Sequence, residues 1–444
     1  MLDSCFMNEG CSKRVPLQPA RKNRMSEQHA PATPLPTHHA AAMRGRDPHE
    51  HHRVATPLEL LFDLTFVIAF GVAGAQLAHL LAEGHYAAGL MGFGFAMFAV
   101  CWAWVNFSWF ASAFDTDDWI YRLTTMVQMV GVLILALGLP QMFESIDKGE
   151  HVDNGIMVLG YVVMRVAMIF QWSRAARQTP DCRPACLSYV TAISIAQIGW
   201  IALIFIDMPL LPTFLCVVLL TLIELLGPVV AERRGGGTPW HAHHIAERYG
   251  LLAIITLGEG VVGTVASISA IVGEQGWSLD AILICVAGTG LTFGMWWLYF
   301  LLPSGQILHR FRNRAFLWGY GHMLIFASIA ATGAGLHVAA YYIEHKAHIG
   351  AVAAVLTVAV PVFAYVTLIF AHYVYLLRKL ETFYLGLMIG MTAVVALAIL
   401  CAAAGVSMTT CLIILMFAPL VPVVGYEVKG HRYGSAALQR ALQA

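Results

Sequence analysis

Residues Thr238–Gly263 read TPWHAHHIAERYGLLAIITLGEGVVG, and this stretch decides how the rest of the chain is read. Its first third is crowded with His241, His243, His244, Glu247 and Arg248. The remainder is apolar apart from Thr256 and Glu259. At about 100° per residue, His244, Arg248, Ile255, Glu259 and Gly263 fall near one helix face. A polar entrance therefore leads down one stripe to an acid placed roughly midway across a bilayer-length helix. Acids at that depth are costly and usually face a bundle interior or a wet cavity. The plain structural alternative is a protonated Glu259 bonded to a neighbouring carbonyl.

The whole chain fits that setting. Of 444 residues, 59% are hydrophobic and 12% charged, with mean hydropathy +0.69. Soluble domains carry about 25% charged residues, so the composition predicts an integral membrane protein, an all-α polytopic bundle. The formal net charge of zero gives no basic excess for nucleic acid. Nine cysteines are an odd number, and five of them (Cys101, Cys216, Cys285, Cys401, Cys411) lie in apolar runs, so no disulfide framework is expected. Cys182 and Cys186 lack a second ligand pair for zinc.

Twelve spans are expected: 58–82, 86–112, 119–142, 154–173, 186–206, 210–230, 243–271, 279–302, 314–343, 349–376, 380–403 and 406–425. Residues 1–55 read as a disordered tail, rich in proline and without an apolar periodicity or signal-peptide core. The His38, His39, His49, His51 and His52 tract in it is read as incidental, and Met1, Met25 and Met43 stay open as starts. Residues 429–444 form a short second tail.

Lysine and arginine set the orientation. Eight precede residue 56. The even-numbered loops carry Arg122; Arg174, Arg177 and Arg183; Arg233 and Arg234; Arg310 and Arg312; and Arg378 and Lys379. Lys429, Arg432 and Arg440 follow the last span, whereas the odd loops show only Lys148 and Lys346. Both termini are therefore expected in the cytoplasm. Thr56-Pro57 and Thr238-Pro239 open the first and seventh spans, and Trp104-Val-Asn-Phe107 resembles Trp297-Leu-Tyr-Phe300. These matches suggest two halves, 56–231 and 232–428.

Several charged residues lack an ordinary reason for their place. Glu59 completes a capping box with Thr56, but Asp63, one turn deeper, has no such role. Arg165 sits near the middle of the fourth span and cannot shed its charge, so it needs a carboxylate or an anion. Depth suggests Glu259 as its partner, the alternative being a snorkelling side chain. Glu224, His322 and Gln128 are placed to line one cytoplasm-facing vestibule, although a lone histidine in a bundle is often only a satisfied donor. Asp115, Asp117 and Asp118 read first as the cap of the third helix, with an ionic latch to Arg248 as a further reading. Gly290–Gly294 and Gly386–Gly390 are GxxxG helix contacts. Gly258, Gly260 and Gly263 allow close approach to Glu259. His243, His244 and Glu247 lie on one turn but lack the zincin order. No nucleotide-binding or nucleophile-elbow motif is present, so no cofactor, resident metal or catalytic residue is expected.

At this point the motifs resemble a known family. TPLELLFDLTFV at 56–67, FDTDD at 114–118, the 238–250 stretch running into Leu257-Gly258-Glu259, WWLYF at 296–300 and WGYGH at 318–322 are together similar to the bacterial low temperature requirement protein A family. The resemblance covers about residues 53–430. It implies a multi-pass bacterial membrane protein associated by name with growth in the cold, and supplies no biochemical activity. The family often has an acid where Leu301 stands here.

The residues themselves favour an ion- or proton-coupled secondary transporter in the bacterial inner membrane. Asp63, Arg165, Glu224, Glu259 and His322 would line its pathway. Glu59, Asp115, Asp118, His244, Glu247 and Arg248 would form its cytoplasmic mouth. A membrane-embedded enzyme or lipid-handling protein, and a sensor or scaffold, are the competing readings. The bilayer and a small solute or proton are the expected partners; substrate and oligomeric state stay open.

Overall fold

The computed structural model describes residues 40–50, 53–149, 151–206, 208–379 and 381–443. Twelve of its helices are long and apolar enough to cross a membrane. In chain order the elements are α1 (Pro57–Ala82), α2 (Tyr86–Phe114), α3 (Trp119–Lys148), α4 (Gly155–Gln178), α5 (Arg183–Ile204), α6 (Leu210–Glu232), α7 (Ala242–Gln275), α8 (Leu279–Phe300), α9 (Ser304–Arg310), α10 (Ala315–Ile343), α11 (Ala351–Leu377), α12 (Thr382–Ala403), α13 (Met408–Gly425) and α14 (His431–Gln443). No strand occurs among the described residues. The short α9 does not cross, and α14 lies in the stretch read above as a tail.

Local sequence sets the helix starts. Thr56 accepts from the Glu59 amide at 3.3 Å while Glu59 Oε2 accepts from the Thr56 amide at 2.8 Å, a complete capping box with Pro57 at the first helical position. Asp118 caps α3 through the Tyr121 amide at 2.8 Å, and His241 caps α7 through the His244 amide at 3.1 Å. A histidine in a capping position carries no standard cap signal.

The bundle has an inside and an outside. In the apolar windows of α2 and α10, 72% is buried, against 22% in α12, so α2 and α10 form the centre. α6 shows Leu211, Leu215, Leu222 and Leu226 outward, an apolar face suited to lipid. α7 packs on α1, α8 and α10, and α1 also meets α2, α3 and α10. The first half pairs α1 with α2 and α3, then α3–α4, α4–α5 and α5–α6. The second pairs α7 with α8 and α10, then α10–α11, α11–α12 and α12–α13, and adds an extensive α8–α13 contact.

Glycines mark the closest helix crossings. A Cβ on Gly160 would stand 2.3 Å from the Leu135 nitrogen, and one on Gly138 2.3 Å from the Met157 nitrogen, so α3 and α4 touch backbone to backbone. Of the two GxxxG patterns, Gly290 and Gly294 pack against Met416, Pro419 and Leu420 of α13. Gly386 faces open space and Gly390 meets only Val421, so the second pattern is half a contact.

The expectation of a loose segment through residue 55 is corrected for its described part. Met43 is fully buried, and its amide donates to Gln178 Oε1 at 2.6 Å. The Arg46 amide donates to Ala113 O at 2.9 Å, and Arg53 donates to Ser112 O and to Ala111 O, the latter at 2.9 Å. Prolines and charges suggested disorder, but the free carbonyls ending α2 and the side chains of α4 supply partners that composition cannot show. His38, His39, His51 and His52 lie outside the described residues.

The glycine contacts give a direct test. Gly160→Leu overpacks the α3–α4 crossing and lowers the Tm of the purified protein, at a cost on the order of 1–3 kcal/mol or more. Gly386→Leu, placed in open space, leaves the Tm within a degree or so of wild type.

Candidate functional site

Two helices with matched four-residue spacing build the first cluster. α1 carries Glu59 and Asp63 one turn apart, and α7 carries His244 and Arg248 one turn apart. α1 and α7 lie together, so acids face bases in register. Glu59 Oε2 lies 3.2 Å from His244 Nε2, and Glu59 Oε1 lies 2.9 Å from an Arg248 terminal nitrogen. Arg248 also pairs with Asp63 and donates to Ser108 Oγ at 3.3 Å. Trp104 Nε1 donates to Asp63 Oδ1 at 2.7 Å. All four ionisable side chains are fully buried. Asp63 Oδ2, His244 Nδ1 and Arg248 Nε have no hydrogen-bond partner among the described residues.

Residues 41–50 and 53–55 lie at the helix ends beside this cluster. The Ala41 amide donates to Asp118 Oδ2 at 2.9 Å, and Arg174 donates to Ala41 O at 2.8 Å and pairs with Asp118. A ring nitrogen of His241 lies 2.9 Å from Glu50 O, and the Ala55 amide meets Glu247. Asp118 therefore pairs with Arg174, and Asp117 with Arg122 at 2.8 Å, so the latch to Arg248 does not form. Burial pushes the Asp115 carboxyl up to about 6, with the Glu59 charge adding to it. The Asp117 amide and the Arg53 and Arg46 charges pull the other way. Burial lowers Arg53 and His241 below their ordinary values.

Arg165 pairs with Glu224, not with Glu259. Its terminal nitrogen lies 3.1 Å from Glu224 Oε2, and it also bonds Tyr161 OH. Glu224 accepts from Trp102 Nε1 at 2.7 Å, Tyr161 OH at 3.2 Å and Trp200 Nε1 at 3.3 Å. Depth along the helix suggested Glu259. Azimuth decided otherwise, because α4 packs on α3 and α5 while α7 packs on α1, α8 and α10.

Glu259 stands apart. It is 8% exposed and makes no hydrogen bond or ion pair with a described residue. Glycines surround it: a Cβ on Gly71 would stand 3.4 Å from its Oε1, one on Gly74 3.6 Å from its Oε2, and one on Gly333 2.8 Å from its Cβ. Small residues on α1 and α10 thus let both helices close on the carboxylate without offering it a donor.

His322 belongs to a third group and does not share a vestibule with Glu224. Its Nδ1 lies 2.7 Å from Trp318 O, and its ring packs 4.9 Å from His372 and 5.1 Å from Tyr249. The buried Gln128 has an unpartnered amide nitrogen. His243 points outward to His309, with ring centroids 5.6 Å apart, while His244 points inward, so His243, His244 and Glu247 do not converge on one point. The residue patterns did not mark Trp102, Trp104, Trp200, Tyr161, Arg53 or His372 as site residues. An indole N–H within a span is the signal for the tryptophans, since a buried indole needs an acceptor. Arg53 and His372 carry no such signal.

This fold and these charges define a class: a multi-pass helical membrane protein with buried ion pairs and, among the described residues, a separate unpaired carboxylate. Within that class, the chain belongs to the bacterial low temperature requirement A protein (LtrA) family, which it matches over residues 54–419. It is also similar to the uncharacterized protein RA0937 of Rhizobium meliloti (strain 1021), with 25% identity over 294 residues, 62% of this chain and 67% of the relative. No solved structure matches it.

Both outlying charge features can be tested. Arg165→Ala strands Glu224 in the core and costs about 3–5 kcal/mol, whereas Arg165→Met with Glu224→Leu together recovers most of the loss. Thermal melts of the three forms read this out, and a double variant no more stable than Arg165→Ala contradicts it. For Asp115, the folded protein holds a proton that the unfolded chain has lost between pH 3.8 and about 6. Stability from this group is therefore full below pH 3.8 and is lost as pH rises through about 6. Asp115→Asn should melt with wild type at pH 4 and above it at pH 8; equal melting at both contradicts the assignment.

Proposed function

We propose that this protein is a proton-coupled secondary transporter of the inner membrane, with residues 40–55 on the cytoplasmic side and Glu259 as the coupling carboxylate. The observation that carries this reading is the treatment of Glu259. The other acids buried within the membrane-spanning helices receive a cation: Glu59 and Asp63 have Arg248, and Glu224 has Arg165. Glu259 receives glycines. A carboxylate held near mid-membrane without a fixed cation is neutralised by something mobile, a proton or a cationic solute. The placement of lysine and arginine supports the orientation.

The Glu59–Asp63–His244–Arg248 cluster, on the same two helices, is the cytoplasmic gate in this reading. Parting α1 from α7 at that end separates acids from bases and exposes groups that hydrate or bind substrate. Glu259 lies about 16 Å further along α7 from Arg248, eleven residues at the helical rise. The gate and the coupling site therefore share one rigid element.

The test is solute-dependent proton flux in liposomes with a pH-sensitive dye trapped inside, across a panel of small solutes. Glu259→Gln keeps the size and removes the exchangeable acid. Flux should fall at least about tenfold in this variant, with its Tm unchanged. Flux undiminished in Glu259→Gln overturns the assignment.

A further inference from the structure

The surroundings of Glu259 also indicate where its proton goes. Three helices enclose it, α1 through Gly71 and Gly74, α10 through Gly333, and α7 itself. On the side away from residues 40–55, titratable side chains are sparse on all three. α1 has none from Leu64 to Ala78, and α7 has none from Gly260 to Gly273. α10 has none from Met323 to Leu336. The first beyond Glu259 are His79, which is exposed near the end of α1, and His337, which is half-buried on α10. α8 meets α7 on another face, through Thr292 against Gly260, and offers no charged group there.

His337 has the right azimuth. Ala330, Gly333 and His337 fall at i, i+3 and i+7, one face of α10. Ala330 O lies 4.0 Å from the Cβ position of Gly74, and Gly333 abuts Glu259, so this face looks into the seam between α1 and α7. His337 continues the face one turn beyond Gly333, about 6 Å further from the gate. Gly263 of α7 lies against Gly333 and Leu336 and leaves the seam narrow in side chain. His337 makes no hydrogen bond or ion pair with a described residue.

We propose that His337 carries protons between Glu259 and the side of the membrane opposite residues 40–55. This rests on the reading of Glu259 as the coupling acid. Neutral His337 takes a proton from hydronium at that side onto its unprotonated ring nitrogen, leaving water. It then gives a proton to the Glu259 carboxylate through hydrogen-bonded water, returning to the neutral ring and leaving a carboxylic acid. Only N–H and O–H bonds form and break. Imidazole suits the role because its proton affinity lies near neutral pH.

Carbodiimide labelling tests this without a known substrate, since the reagent adds to a protonated carboxyl. The full chain is placed in vesicles sorted for one orientation, and labelling of Glu259 is followed by peptide mass spectrometry after an acid jump on one side. In wild type, labelling rises promptly when the side opposite residues 40–55 is acidified. In His337→Ala that response is at least about tenfold slower, its Tm is unchanged, and imidazole added on that side restores the rate. A merely structural histidine gives no such rescue. An unslowed response in His337→Ala, or a slowed one that imidazole does not restore, overturns the proposal and leaves Glu259 as the coupling acid. Wild-type labelling that ignores pH on both sides overturns the coupling reading itself.

Discussion

A guanidinium keeps its charge at any pH a cell meets, and Arg248 is fully buried. That constraint fixes one end of the bundle. A charged residue at the centre of a membrane helix costs about 2.5–3.5 kcal/mol even on the mildest scales, so Arg248 must be met by acids. Glu59 and Asp63 meet it from a different helix. The pairing clamps α1 to α7 and sets their register. That register then brings Gly71 and Gly74 of α1 level with Glu259, two to three turns along. The isolation of Glu259 thus follows from the clamp: the same two helices are tied together at one end and smooth where the lone carboxylate lies.

The Arg165–Glu224 cluster shows what a purely structural buried charge looks like in this chain. Glu224 accepts from two indoles, a phenol and a guanidinium, on three different helices. Such a network is worth more together than its pairs suggest, and partial loss is costly. It ties α2, α4, α5 and α6 into one body. Both clusters leave polar atoms without hydrogen bonds: Arg165 Nε and Nη1 in this one, and His244 Nδ1, Asp63 Oδ2 and Arg248 Nε in the Arg248 cluster. In the first network only guanidinium N–H groups are left over and the carboxylate is fully used, whereas the second also leaves carboxylate oxygens free to take a new donor.

The sequence makes the spans legible because length and hydropathy alone specify a helix crossing lipid. Individual charges were legible as well: Glu59, Asp63, Arg165, Glu224, His244, Arg248 and Glu259 were each picked out because a polar group in an apolar run needs a reason. Pairing was not legible for Arg165. Depth along a helix is readable at 1.5 Å per residue, but azimuth depends on which helices are neighbours, and twelve helices allow many arrangements. Glu59 with His244 was recoverable in principle, from two i,i+4 pairs of opposite sign behind matching Thr-Pro starts. The order of residues 40–50 and 53–55 is not legible, because it comes from partners on α2, α3 and α4, distant in sequence and invisible to local composition.

The clamp also bears on how the two ends of the molecule would work together. Separating α1 from α7 strands Arg248 and two carboxylates, and breaking a buried pair costs about 3–5 kcal/mol when one partner is left uncompensated. Hydration or a bound solute must replace the lost contacts before that end opens. Ala41, Met43, Glu50 and Arg53 add bonds to the ends of α2, α3, α4 and α7, so opening must loosen them as well. No comparable ion pair joins α1 to α10 or α7 near Glu259, where glycine backbones meet the side chain directly. In the transport reading, the cluster end is the one that needs replacement contacts to open. On that reading the seam beyond Glu259 has no buried charge to compensate among the described residues, so it differs from the cluster end in what opening costs.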